Sequence, residues 1–203
     1  MDGERRRVLM VCGSLQRRSA NRALLDAIAG ELGGAADVAW FDGLATVPAF
    51  DADHADDPHP MLDEWRHAVA AADVVVIAVP EYAGGMAGTL KNTLDWLVGS
   101  GGLYRKPVAV LSAGTSGGEH ARRQTAQTLT WQGAYVIAQL GVAAPRTKFD
   151  DDGHLTDAST RTEIAAAAAS ITAAATKSAA ELAPVAVELL AELGLDADHV
   201  APA

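Results

Sequence analysis

The stretch Gly13-Ser14-Leu15-Gln16-Arg17-Arg18-Ser19-Ala20-Asn21 places hydroxyl and amide side chains next to two arginines, directly behind a glycine that can make a tight turn. Where such a stretch opens a helix, backbone N–H groups and the positive end of the helix dipole add to the side-chain donors, and the sum is a cradle for a phosphate. Hydrogen bonds to a charged group contribute roughly 1.5–3 kcal/mol each, so three or four of them hold a phosphomonoester firmly. Helix capping by Ser19 or Asn21 is the plainer alternative. Neither a Walker lysine nor a Gly-x-Gly-x-x-Gly run is present.

A second stretch, Pro80-Glu81-Tyr82-Ala83-Gly84-Gly85, lies between the unbroken apolar run Val74 to Val79 and a helix-like segment, Thr89 to Leu97. A third, Ser112-Ala113-Gly114-Thr115-Ser116-Gly117-Gly118, is small and glycine-rich, so its backbone amides can come close to a flat ring system. Tyr82 can offer that ring an aromatic surface. The plainer alternatives are a surface tyrosine for Tyr82, and a solvated charge or a helix-capping carboxylate for Glu81.

These three stretches must be positioned by strands. Apolar runs bounded by Pro and Gly read as buried parallel strands, and the chain alternates such runs with helical periodicity from end to end. Strands are expected at Val8 to Cys12, Val38 to Phe41, Val74 to Val79, Val108 to Ser112 and Tyr135 to Ala138. Helices are expected at Asn21 to Leu32, Met61 to Ala72, Thr89 to Leu97 and Glu119 to Gly133. The alanine-rich stretch from Ser159 to Ala183 reads as a long helix, and Pro184 as the start of a short last one that stops at Gly194. The expected fold is α/β, a doubly wound five-stranded parallel sheet of order 2-1-3-4-5 with helices on both faces. In that order the switch between strands one and three brings the first two loops together, and strand four delivers the third beside them.

A length of 203 residues suits one domain, residues 1–203, with a helical extension over about 159–195. The net charge of -10 argues against nucleic acid and anionic membrane surfaces as partners. The lone Cys12 excludes an internal disulfide and reads as a small buried residue, not a nucleophile. No apolar stretch approaches the ~18 residues that span a bilayer, and Met1 to Arg7 leads into no signal-peptide core, so the expected location is cytoplasmic. Asp51, Asp53, His54, Asp56, Asp57 and His59 form a polar loop without the spacing that would converge them on a metal, and no metal site is expected.

Gly13-Ser14-Leu15 with Ser19 and Asn21, then Pro80-Glu81-Tyr82 with Gly84, Gly88, Leu90-Lys91-Asn92 and Asp95-Trp96, resembles the NADPH-dependent FMN reductase family, whose members include flavin, quinone, azo-dye and chromate reductases. The resemblance runs from Val8 to Val142 and implies a flavodoxin-like fold that binds FMN noncovalently. By matching position, Ser14, Ser19 and Asn21 hold the phosphate, with Gln16 and Arg17 in the same loop. Pro80, Glu81, Tyr82, Ala83, Gly84 and Gly85 line the flavin, and Ser112 and Gly114 close its far side. The chain departs from the family in having Gln16 for arginine, Ala83 for asparagine, and Gly85 and Ala87 where serine and proline are usual. Arg17 or Arg18 then supplies the missing charge.

The resemblance further implies NADPH or NADH as electron donor and a small-molecule acceptor such as a quinone or free flavin. Hydride then passes through the flavin in alternation, with no catalytic acid or base from the protein. It also implies a homodimer or homotetramer, with Leu94, Trp96, Leu97 and Val98 taken as subunit surface. Two other readings stay open: an electron-transfer or flavin-binding module without free reductase activity, and a protein whose altered loop has lost flavin.

Overall fold

The computed structural model describes residues 5–55 and 57–202. Its main sheet is parallel throughout, with strands β1 (Arg6–Cys12), β2 (Ala36–Phe41), β3 (Val74–Ala78), β6 (Pro107–Gly114) and β7 (Tyr135–Ala143) in the order β2-β1-β3-β6-β7. Counting main-sheet strands alone, that is 2-1-3-4-5. Successive side chains point to opposite faces, so Val8, Met10, Val74, Val76 and Ala78 enter one core, while Leu9, Val11, Val75, Ile77 and Val79 enter the other. Burial on both faces is why these strands are continuous apolar runs and not alternating ones.

Helices α1 (Ala20–Leu32) and α5 (Ala158–Ala174) cover the first face; α2 (Pro60–Ala71), α3 (Gly88–Asp95) and α4 (Glu119–Trp131) cover the second. Leu24, Leu25, Ile28 and Leu32 form the buried stripe of α1, which Ser19 caps at one end and Gly33, at φ 51°, closes at the other. Helix α6 (Ala179–Glu192) sends Leu182 and Ala186 into the first core and Leu190 into the second. It therefore wraps the edge strand β7, whose unpaired backbone would otherwise be a pairing hazard. No helix among the described residues is long and apolar enough to cross a membrane.

Two expectations need correction here. The long helix over 159–183 ends at Ala174, and α6 starts at Ala179, because Ser178 and Glu181 form a capping box across that turn. Pro184 thus lies inside α6 instead of opening it, and the Ala180 carbonyl lacks its i+4 donor. Leu94, Trp96 and Leu97 are not subunit surface: they are 0%, 4% and 1% exposed, whereas Val98 is 59% exposed.

Pro184 is exposed and sits where its ring crowds the preceding turn. Pro184→Ala should raise stability by about 1–3 kcal/mol, read as a higher urea midpoint at unchanged slope; an unmoved midpoint would show that the turn has relaxed around the ring.

Candidate functional site

The loop after β1 and the loop after β3 meet through backbone. Gly13 N–H donates to the Ala78 carbonyl at 2.8 Å. A Cβ on Gly13 would lie 3.0 Å from Pro80 Cδ and 3.1 Å from that carbonyl, a tight fit that glycine avoids. Beyond it, Ser14 is half-buried with its Oγ accepting from Gln16 N at 3.3 Å, while Gln16, Arg17 and Arg18 are exposed. Ser19 is the N-cap of α1 and accepts from Arg22 N at 3.4 Å. The N–H groups of Ala20 and Asn21, first in α1, have no acceptor within the helix.

Asn21 has a different part from the one expected of its side chain. It is buried, donates Nδ2 to the Ala113 carbonyl at 3.2 Å and accepts from Ala113 N at 2.9 Å. Both ends of the amide tie α1 to the end of β6, which leaves the backbone N–H of Asn21 as its contribution to an anion. Cys12 lies beneath this loop, its Sγ 3.6 Å from the Ser14 carbonyl and 4.0 Å from Ser19 Oγ. Burial pushes the thiol above its usual value, so it stays a neutral small side chain at pH 7.

The loop after β3 contains a hairpin that sequence periodicity did not reveal: β4 (Glu81–Tyr82) pairs antiparallel with β5 (Gly85–Met86). Ala83 at φ 51° and Gly84 at φ 73° form its turn, the two consecutive left-handed residues of a type I′ connection. Tyr82, Ala83 and Gly84 are exposed and Pro80 is buried, so the turn stands out from a fixed base.

Glu81 takes the capping role that was its plainer alternative. Helix α4 begins at Gly118, a cap residue at φ 64° with no side chain, and the Glu81 carboxylate accepts from Ala121 N at 3.1 Å in its place. Gln124 Oε1, from the same helix, accepts from Met86 N at 2.7 Å. Sequence reasoning missed Gln124, since nothing local connects it to a residue 38 positions earlier.

Ser112 does not line an open surface. It is 0% exposed, a Cβ on Gly118 would collide with its Oγ, and that hydroxyl has no hydrogen-bond partner among the described residues. Gly114 behaves as expected of a lining residue: it is half-exposed, and a Cβ there would meet nothing within 4 Å. Arg122 braces this loop from below, donating Nε to the Gly117 carbonyl at 3.1 Å and Nη1 to Gln139 Oε1 at 2.9 Å. Burial lowers its affinity for a proton, and Glu119 and Glu81 oppose that shift.

Other motif residues turn out to hold the scaffold. Asn92 accepts from Phe50 N and donates to the Pro48 carbonyl, each at 2.7 Å, and Trp96 Nε1 donates to the same carbonyl at 2.9 Å. They fasten the long loop after β2 to α3. Within that loop His54 pairs with Asp57 at 2.8 Å, which draws the imidazole pKa upward, and lies 3.9 Å from Asp51. Asp56 falls outside the described residues.

With this geometry in view, the chain can be set beside known proteins. A family model described as NADPH-dependent FMN reductase matches residues 6–148. A NAD(P)H-dependent FMN reductase of Pseudomonas aeruginosa is 30% identical over 158 residues, spanning 74% of this chain and 85% of the relative. A probable NADPH:quinone oxidoreductase of Oryza sativa subsp. japonica is 35% identical over 170 residues, spanning 78% and 86%. Among solved structures, FerB, a flavoenzyme NAD(P)H:(acceptor) oxidoreductase from Paracoccus denitrificans, superposes with a TM-score of 0.72 at 20% identity, covering 84% of this chain and 97% of that one. At that identity the likeness speaks for the fold.

An alanine in the left-handed region costs about 1–2 kcal/mol, and asparagine is one of the few residues that tolerates it. Ala83→Asn should therefore raise the melting temperature of the ligand-free protein by the equivalent of about 0.5–1 kcal/mol, and Gly84→Val should lower it. Loss of stability in Ala83→Asn would mean that this turn is not the one the chain adopts.

Proposed function

The chain belongs to the NADPH-dependent FMN reductase family, and on that premise we propose that it holds FMN between its three loops and passes reducing equivalents from NADPH or NADH to a small acceptor, a quinone or free flavin. Family membership makes it an oxidoreductase. The observation that carries the detailed reading is the contact at Gly13, since it joins a phosphate-type loop to an exposed hairpin at the carboxyl ends of β1 and β3.

The residues present fit such a cofactor. For the phosphate, the Ser14 hydroxyl, Gln16, Arg17 and the free N–H groups of Ala20 and Asn21 gather at the positive end of α1. Ser19 accepts from Arg22 and keeps its own hydrogen to give. For the ring, the backbone of Pro80, Ala83, Gly84 and Gly85 offers a platform, with Tyr82 beside it and Gly114 open opposite. Asn21 and Glu81 contribute by holding these loops in place with their side chains, while Ser112 lies buried beneath Gly118. Because the ring contacts are backbone contacts, the departures at Ala83 and Gly85 leave them available.

The chemistry FMN supplies when bound is reversible hydride acceptance. What the chain does is position and shield. A donor and its successor must each be presented to the ring within about 3–3.5 Å, so the platform needs rigidity more than it needs an acid or base. No side chain at the site is assigned a proton-transfer role. We further read residues 1–203 as one domain, acting in the cytoplasm as a homodimer or homotetramer.

Residues 80–85 and 114–116 would border the bound ring and leave room for one planar partner at a time, so donor and acceptor would alternate. With FMN-loaded protein, initial rates of NADPH or NADH oxidation against varied quinone should give parallel double-reciprocal lines. Intersecting lines would contradict alternation, and absence of turnover with quinone and free flavin alike would favour a carrier module instead.

A further inference from the structure

We propose that Gln124, acting through the missing side chain of Gly85, is the positioning residue that fixes the return strand of the hairpin and thereby sets how tightly FMN is held. The proposal rests on the reading that residues 80–85 form the flavin platform.

A hairpin of two residue pairs has no stability of its own in water. This one also has to hold Ala83 in the left-handed region. Something outside it must therefore fix its position, and helix α4 does so at two points. The outgoing strand gives the Glu81 carboxylate to Ala121 N, and the returning strand gives Met86 N–H to Gln124 Oε1. Positions 121 and 124 are three apart on one helix, so both points lie on the same face of α4, one turn from each other. The returning strand is held more closely, at 2.7 Å against 3.1 Å.

Gly85 is what lets Gln124 reach. A Cβ at position 85 would stand 3.0 Å from Gln124 Oε1, so an added side chain would crowd the very oxygen that accepts from Met86 N and make it give by a few tenths of an ångström. Around this contact, Thr125 Oγ1 lies 3.8 Å from Met86 Sδ, which seats the Met86 side chain as its backbone is held. Gln124 itself is largely exposed and contributes nothing to either core. Its one polar contact into the site region is the Met86 amide, and the consequence of losing it falls on the hairpin and not on the fold.

The test compares Gln124→Ala, Gln124→Glu, Gly85→Ala and the double variant Gly85→Ala with Gln124→Ala. Each is measured for Met86 amide exchange in the ligand-free protein, for FMN affinity and for the midpoint potential of bound FMN. Alanine is the best helix former, so the first variant keeps α4. Gln124→Ala should speed Met86 exchange and weaken FMN about three- to tenfold, the share of one hydrogen bond, and move the midpoint potential of bound FMN as the platform loosens. Gln124→Glu offers an acceptor of the same reach and should restore exchange protection and affinity. Gly85→Ala should weaken FMN similarly, and the double variant should be little worse than either single one, as expected for residues that act through one contact. Unchanged Met86 exchange in Gln124→Ala, or faster exchange with unchanged FMN affinity and potential, would overturn the proposal. Wild-type protein that takes up no FMN would instead sink the functional reading beneath it, and the flavin part of this proposal with it, while Met86 exchange would still report whether the latch exists.

Discussion

The whole arrangement depends on a close backbone contact at the switch point of the sheet, where Gly13 N–H meets the Ala78 carbonyl at 2.8 Å and a Cβ on Gly13 would crowd that carbonyl and Pro80. The chain leaves β1 and β3 toward opposite faces there, the arrangement at which open α/β sheets take their ligands, outside the carboxyl ends of the strands. A side chain at position 13 would crowd Pro80 and the Ala78 carbonyl, which would have to give by a few tenths of an ångström. Everything that could hold a cofactor is built outward from that contact.

Around it, the loops are fixed mainly by side chains that bind backbone. Asn21 clamps Ala113 across 92 positions of sequence, Glu81 caps α4, and Arg122 holds the Gly117 carbonyl. Such bonds leave the loop backbones ordered while their outer surfaces remain open, and that order is what a site reading its ligand through N–H groups requires. Ala83 puts a strained residue in the hairpin turn, and Gly85 leaves room beside Gln124 Oε1.

Much of this was legible in the sequence. The run Val74 to Val79 and the alternation of apolar strands with helical stripes were enough for the sheet order, because burial on both faces leaves a strong local signal. The three loops were legible as glycine- and hydroxyl-rich breaks after those runs. The hairpin was not, because two-residue strands carry no periodicity and Ala83 disguises a turn normally marked by asparagine or glycine. Nor could local patterns assign Asn21, Glu81 or Gln124 to their partners, which are distant in the chain and near only in the fold. Ser112 looked like a lining hydroxyl because the fold beneath Gly118 is invisible to composition. Pro184 misled for a related reason: a proline usually marks a helix start, but the capping box at Ser178 and Glu181 starts this helix earlier.

The central claim is that these loops form one cradle, matched to a single phosphate and a flat ring. Isothermal titration of the ligand-free protein with FMN and with FAD examines it most directly. Among the described residues one phosphate-type loop lies at a helix amino end, and the sequence has no Gly-x-Gly-x-x-Gly fingerprint, so FMN should bind one to one and more tightly than FAD. FAD binding as tight as FMN, or binding of neither flavin, would contradict the account.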